Sequence, residues 1–296
     1  MLRSSTVFRP TSLVECLKWL QPQPCGFLTA WGGGQLGNQM FWYASLYGVG
    51  RKLNRTVFLI TSGFRTLMDA LAEPLEIPSC PGDFKQLKFP IAGPPHAARF
   101  DPKTLRLNCN KSYKLDGFLQ SWKYFEDYAA SIRKQFIFKE SIRSECQGAI
   151  NNKINRSDCI LVGVHTRRGD FVHRQHYGYV PTSKDYLDRA IKYMRNRLND
   201  SSCIWFLMLG DDRKWNLQNA PKDSDVIVME KRSAAVDMCI LTQCNHTIMS
   251  VGTYGWWAAY LANGITVYQK QNVRPNSHMA KITEPADFFR PNWIPL

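Results

Sequence analysis

Five apolar runs crowd the second half of the chain: CILVGVHTRRGD from Cys159, CIWFLMLGDD at 203–212, DVIVME at 225–230, HTIMSVG from His246 and ITVYQ at 265–269. A strand with one wet face alternates apolar and polar residues, whereas a strand covered on both faces reads as an unbroken apolar run. Helix-like segments lie between the runs. SKDYLDRAIKYMRNRL at 183–198 is amphipathic and opens on Ser183, an expected N-cap. VDMCILTQCN at 236–245 and TYGWWAAYLAN from Thr253 also read as helices. Strands alternating with helices in this way predict a parallel sheet with helices on both faces.

The front half repeats the alternation less cleanly. An apolar strand at 26–31 leads into GGGQLG (32–37), then a helix at about 38–53 and a strand at 56–60. A helix or loop near 64–72 is followed by a Pro-rich stretch from Pro74 to Pro102 with little periodicity. LDGFLQSWKYFEDY at 115–128 suggests a short strand, an aromatic turn and a helix, and 129–156 forms a polar helical link. The expected organisation is an N-terminal extension (1–25), a front α/β unit (26–150), a rear α/β unit (151–275) and a C-terminal segment (276–296). GGGQLG has the spacing of a dinucleotide-binding turn, but such a unit needs an acid about 20 residues further on to hold the ribose. No Asp or Glu occurs between Gly37 and Asp69. The loop is therefore a tight turn that still allows backbone to approach a phosphate or sugar.

Lys and Arg number 38 against 24 Asp and Glu, a net charge of +14 that favours an anionic partner. No run of basic residues exceeds two, so nothing resembles a nucleic-acid-binding tail, and no nucleic acid is expected. Nine cysteines without a Cys-x-x-Cys pair argue against a zinc site and leave at least one thiol unpaired. Sequons at Asn54, Asn110, Asn155, Asn199 and Asn245 point to a secretory lumen, although the apolar surroundings of Asn245 suggest burial. No stretch of about 18 apolar residues and no signal-peptide core is present, so any membrane association is expected to use an anchor outside this chain.

In sheets of this kind ligands bind beyond the carboxyl ends of the strands. The polar residues gather there: His165, Arg167, Arg168 and Asp170 after one strand, Asp211 and Asp212 after another, Ser250 to Thr253 after a third. Arginine suits a two-pronged grip on phosphate. Neighbouring arginines in a strand face opposite ways, so one is expected to meet a ligand and the other to pair with Asp170. His165 and Arg167 should share a face. The Gly-Asp-Asp at 210–212 could bind a metal, a base or a ribose, or cap the next helix. Asp223 and Asp225 read as a surface turn. The N–H groups of Gly252, Thr253 and Tyr254 open a helix and favour phosphate, and Trp256 and Trp257 read as core.

GGGQLGNQMFWYASLYG, HTRRGDF, GDD with Trp215 downstream and above all DMCILTQCNHTIMSVGTYGWWAAYL together resemble the animal galactoside α-1,2-fucosyltransferases, glycosyltransferase family eleven, from about Gly26 to Trp293. Tyr254 and Gly255 depart from the Phe and Ser of many relatives. The resemblance implies a GT-B-like α/β fold, two Rossmann-like domains facing across a cleft. It implies inverting, metal-independent transfer of fucose from GDP-fucose to the 2-hydroxyl of a β-galactoside, with no cofactor, in the Golgi lumen. It places Arg167 or Arg168 on the β-phosphate. Gly34, Gly37, Asp211, Ser250, Gly252, Thr253 and Tyr254 would lie around the donor, and Asn38 by the transferring group. The residue that takes the hydroxyl proton stays open between Asp170 and His165. A non-catalytic nucleotide-sugar- or glycan-binding protein of the same fold is the alternative.

Overall fold

A computed structural model describes residues 10–154, 158–201 and 203–296. The front lobe runs α1 (Leu13–Leu20), β1 (Phe27–Ala30), α2 (Leu36–Lys52), β2 (Thr56–Val57), β3 (Leu59–Ile60), α3 (Arg65–Ala70), β4 (Ser79–Cys80), β5 (Ile91–Ala92), β6 (Tyr113–Leu115) and α4 (Ala129–Gln135), and α5 (Glu140–Asn151) leads from it to the rear lobe. The rear lobe runs β7 (Ile160–Thr166), α6 (Gly169–His173), α7 (Lys184–Arg197), β8 (Ile204–Gly210), α8 (Arg213–Asn219), β9 (Val226–Val228), α9 (Ala234–Thr242), β10 (His246–Met249), α10 (Thr253–Ala262) and β11 (Thr266–Tyr268). The chain ends with α11 (His278–Ile282), α12 (Pro285–Phe288) and β12 (Ile294–Pro295).

The rear sheet has the order β12-β11-β10-β7-β8-β9 and the front sheet β2-β1-β6-β5, with a small β3-β4 pair beside it. All the pairings between these strands are parallel. β7 is central because its residues are apolar on both faces, and it pairs with β8 from Ile160↔Ile204 to Thr166↔Gly210. This register aligns the carboxyl ends of β7, β8 and β10, and so brings the three polar tips to one edge.

The front lobe departs from expectation in three places. The strand expected at 56–60 divides at Phe58, with β2 joining β1 and β3 joining β4. The helix expected within 115–128 is two 3₁₀ turns, Trp122–Tyr124 and Glu126–Tyr128. The N-terminal stretch contains α1, capped by Ser12 and tied to the front lobe by the Cys16–Cys80 disulfide. Cys25–Cys109 and Cys159–Cys203 are also bonded, leaving Cys146, Cys239 and Cys244 as buried thiols. The C-terminal stretch adds β12 to the rear sheet and also crosses to the front lobe, where Lys123 Nζ pairs with Asp287 at 2.7 Å.

α2 is apolar on every side and buried for most of its length, the pattern of a helix enclosed between layers. It packs on α10, and their aromatic residues interlock. Phe41 lies 4.6 Å from Trp256 and 5.1 Å from Trp257, and Phe125 stacks on Trp257 at 5.6 Å. Each such ring buries roughly 150–250 Å², so this seam is a principal source of cohesion between the lobes. Trp256 and Trp257 are fully buried core residues.

Candidate active site

The amino-terminal ends of α2 and α10 meet where the two sheets present their carboxyl edges. A Cβ on Gly37 would lie 2.7 Å from Tyr254 N and 2.8 Å from Thr253 C, so only glycine permits this contact. Gly37 was expected to let backbone approach a nucleotide; instead α10 fills the space beside it. Gly32, Gly33 and Gly34 have positive φ and turn the chain into α2. The turn wraps Asn38 closely, since a Cβ on Gly34 would stand 2.5 Å from its Nδ2. Asn38 Oδ1 accepts hydrogen bonds from Thr253 Oγ1 at 2.8 Å and from Gln120 Nε2 at 3.2 Å.

Arg167 lies just beyond β7, opposite the start of α10. Its backbone N–H donates to Ser250 Oγ (2.8 Å) and Thr182 Oγ1 (3.0 Å). Its guanidinium donates to Asp211 at 2.6 Å, pairs with Asp170 and lies over the Phe171 ring at 5.1 Å. Arg167 is thus the arginine that pairs with Asp170. Arg168 turns away, stacks on Trp215 at 4.3 Å and donates to the carbonyl of Thr182. Asp211 Oδ1 also accepts the N–H groups of Arg168 (2.8 Å) and Gly169 (3.1 Å), which shapes the loop. Asp212 takes the capping role, accepting from Trp215 N at 3.0 Å at the start of α8. Asp223 and Asp225 are both held by Arg195, away from this edge.

Gly252, with φ of 89°, precedes α10 and brings no side chain to cap it. The first amides of the helix, with the positive end of its dipole, face outward beside Arg167. Tyr254 contributes backbone only, because its hydroxyl donates to Ala234 O at 2.5 Å and its ring lies 5.3 Å from that of His165. Two residues expected at the ligand surface are enclosed. Ser250 is fully buried, its hydroxyl engaged with Arg167. His165 is 4% exposed, lies under the first turn of α10 and shares that face with Arg167. Burial pushes its pKa down to about 4, so the imidazole is neutral at pH 7. Its Nδ1 has no hydrogen-bond partner among the described residues, and a Cβ on Gly255 would approach that atom to 2.4 Å.

Asp237, on α9, was not anticipated. Its carboxylate borders a small recess at the carboxyl ends of β8 and β9 with Gly210, Asn216, Glu230 and Lys231. Oδ1 is buried without a partner among the described residues, and burial raises the pKa to about 6. A carboxylate so placed at a sheet's carboxyl edge is a candidate for ligand binding. In the sequence it reads as an ordinary polar helix residue, and no motif marks it. Gln120 and Thr182 were missed for the same reason.

Asn54, Asn110 and Asn199 are exposed, and Asn155 lies outside the described residues. Asn245 was expected to be buried but is exposed, because it lies in the bend between α9 and β10; its Oδ1 accepts from Leu161 N at 2.9 Å. Among the described residues no helix is long and apolar enough to cross a membrane, and no group of three or more His, Cys, Asp or Glu is placed to hold a metal ion.

Among solved structures, the chain is similar to fucosyltransferase NodZ from Bradyrhizobium (TM-score 0.54, 16% identity, 80% of this chain and 93% of that one). It is also similar to Arabidopsis thaliana FUT1 (TM-score 0.53, 12% identity, 85% and 71%). These likenesses establish the GT-B-like fold. Among curated proteins, it is 31% identical to galactoside alpha-(1,2)-fucosyltransferase 1 of Oryctolagus cuniculus over 92% of this chain and 74% of that protein. It is 32% identical to galactoside alpha-(1,2)-fucosyltransferase 2 of Mus musculus over 91% and 78%. The profile of glycosyl transferase family 11 matches residues 17–296, and with this match, the relatives' similarity and the two-lobed architecture together, the chain belongs to that family.

Proposed function

We propose that this protein transfers L-fucose from GDP-β-L-fucose to the 2-hydroxyl of a terminal β-galactoside, inverting the anomeric centre to an α-1,2 linkage. One observation carries the reading: Arg167, the open first turn of α10 and Asn38 converge where the two lobes meet. A diphosphate laid on the α10 amides would meet the Arg167 guanidinium, and fucose would then extend toward Asn38 on the opposite lobe. The acceptor oxygen forms a bond to fucose C1, the bond from C1 to the β-phosphate oxygen breaks, and its electron pair leaves with GDP. Charge grows on that phosphate as the bond lengthens, and a fixed guanidinium there lowers the barrier. Asp211 and Asp170 hold Arg167 before the donor arrives, so little reorganisation is left for the reaction. Asp170, the more exposed of these two carboxylates, and the departing phosphate are the groups we assign to take the acceptor's proton.

The guanine base would reach the recess at Asp237, whose unpartnered Oδ1 suits the ring N–H and exocyclic amine. Arg167 and the helix dipole provide the phosphate charge stabilisation from protein groups, which supports a metal-independent reaction. Three disulfides and exposed sequons at Asn54, Asn110 and Asn199 support residence in an oxidising lumen, here the Golgi. The test is incubation with GDP-fucose and a β-galactoside, with and without EDTA. Fucosylated product in both arms is expected. GDP binding without product would identify a binding protein, and loss of product with EDTA would contradict metal independence.

A further inference from the structure

Two large aromatic residues are exposed at the carboxyl edge of the front sheet. Trp31, which follows β1, is 44% exposed, and Phe118, which follows β6, is 39% exposed. Both flank one fully buried indole, with Trp31 6.3 Å and Phe118 6.2 Å from Trp42. β1 and β6 are neighbours in the sheet, so both residues follow strand ends on the same carboxyl edge. Trp31 immediately precedes the glycine turn that wraps Asn38. Phe118 lies two residues before Gln120, whose amide donates to Asn38 Oδ1 at 3.2 Å. Phe118 and Leu119 have φ of 65° and 53°, a left-handed pair that non-glycine residues rarely adopt. The backbone bears this strain while leaving an aromatic ring in water, the pattern of a functional constraint.

Beyond Phe118 lies a cavity of about 260 Å³, lined by Pro94, Pro95, His96, Arg99, Phe100 and Asp101. It adjoins the aromatic pair directly, since a Cβ on Gly117 would lie 2.0 Å from Pro94 O, and Ala97 O accepts from Gln120 N at 2.9 Å. Its wall is braced from both sides. Ala98 N donates to Ile282 O at 3.1 Å, Phe100 N to Asp287 at 2.8 Å and Asp101 N to the Tyr124 hydroxyl at 2.9 Å. Two buried nitrogens in this wall, His96 Nδ1 and Arg99 Nε, have no hydrogen-bond partner among the described residues. The imidazole of His96 and the guanidinium of Arg99 give this braced wall hydrogen-bonding groups, which suits the cavity to a polar ligand.

We infer that this edge is a two-part acceptor site: Trp31 and Phe118 hold the terminal galactose beside Asn38, and the His96–Arg99 cavity takes the sugar to which that galactose is linked. The inference rests on the proposed fucosyl transfer and names the surface that selects its acceptor. The apolar face of a pyranose, rich in C–H groups, matches an aromatic ring, and its hydroxyls match an imidazole and a guanidinium.

The test compares methyl β-galactoside with N-acetyllactosamine as acceptors. Trp31→Ala and Phe118→Ala should each raise KM for both acceptors about tenfold or more, equivalent to ~1.4 kcal/mol. Arg99→Ala should raise KM for the disaccharide alone and erase its advantage over the monosaccharide. The affinity for GDP should be unchanged in all three, which also shows that each variant is folded, and Trp31→Phe should recover part of the loss. Saturation-transfer NMR of the same sugars measures their binding independently of turnover. Unchanged acceptor KM and binding in the aromatic variants would overturn the site, as would failure of the unaltered protein to bind either sugar. Sugar binding that depends on Trp31 and Phe118, in a protein that forms no fucosylated product, would preserve this site and overturn the transferase reading.

Discussion

The Thr253 hydroxyl donates to Asn38 Oδ1 at 2.8 Å, joining the start of α10 in one lobe to the start of α2 in the other across 215 residues of sequence. The Gln120 amide meets the same oxygen. With its acceptor oxygen doubly engaged, Asn38 has a defined amide orientation, with Nδ2 available as a donor.

The Asn38–Thr253 link predicts a non-additive pair. Asn38→Ala should lower kcat about 10²-fold, near the loss of one donor to a reacting group. Thr253→Val should lower it several-fold, near the ~1 kcal/mol of one hydrogen bond. If Thr253 acts by orienting Asn38, the double variant should be little worse than Asn38→Ala alone. Fully additive losses in initial rate would refute that role.

Arg167 and Arg168 should separate cleanly. Arg167→Ala should reduce transfer about 10²–10³-fold, with the melting temperature lowered only slightly, because the ion pairs it loses are partly exposed. Arg167→Lys should not restore activity, since an ammonium cannot span Asp211 and Asp170 while presenting a fork to phosphate. Arg168→Ala should retain more transfer but lose about 1 kcal/mol of stability as its stacking on Trp215 disappears. Equal rate losses at the two positions would contradict the division of roles. So would wild-type turnover in Arg167→Ala.

Much of this was legible in the rear half for a physical reason. Strands covered on both faces need unbroken apolar runs, and β7, β8 and β10 have them, so their polar ends stood out. The front half was less legible because its strands are two to four residues long and are held by disulfides and 3₁₀ turns, which leave no periodic signal. At the site, residue types were visible but their partners were not. Nothing in Arg-Arg-Gly-Asp tells which arginine turns toward Asp170, because that depends on Trp215 capturing the other. The contact between Gly37 and Thr253 likewise exists only once the lobes have packed.

Asp237 predicts a trade between stability and binding. Its pKa is raised to about 6 from an ordinary 3.8, first because of burial. Between those values the native state keeps a proton that the unfolded chain has lost, so this group's contribution to stability falls as pH rises through the window. Asp237→Asn should remove that slope and make the protein more stable at pH 7. It should also weaken GDP binding and reduce the preference for GDP over ADP, both readable by titration calorimetry. Tighter GDP binding in the variant, or an unchanged base preference, would remove Asp237 from the nucleotide site.

His165 predicts the opposite slope. Burial lowers its pKa to about 4 from 6.5, with Arg167 adding to the effect and Asp211 opposing it. Below pH 6.5 the unfolded chain takes up a proton that the native imidazole refuses, so the stability from this residue is complete above 6.5 and is lost as pH falls toward 4. The loss should approach roughly 3 kcal/mol, at about 1.36 kcal/mol for each pH unit that separates the native and unfolded values. His165→Gln should flatten this part of the stability curve in urea titrations between pH 4 and 7. Gly255→Ala offers an independent check on the same packing. Its new Cβ would approach His165 Nδ1 to 2.4 Å, so it should cost about 1–3 kcal/mol in the otherwise unaltered protein. The penalty should shrink in a background where position 165 is alanine and the ring is gone. An undiminished penalty in that background would place the clash elsewhere and remove the imidazole from beneath α10.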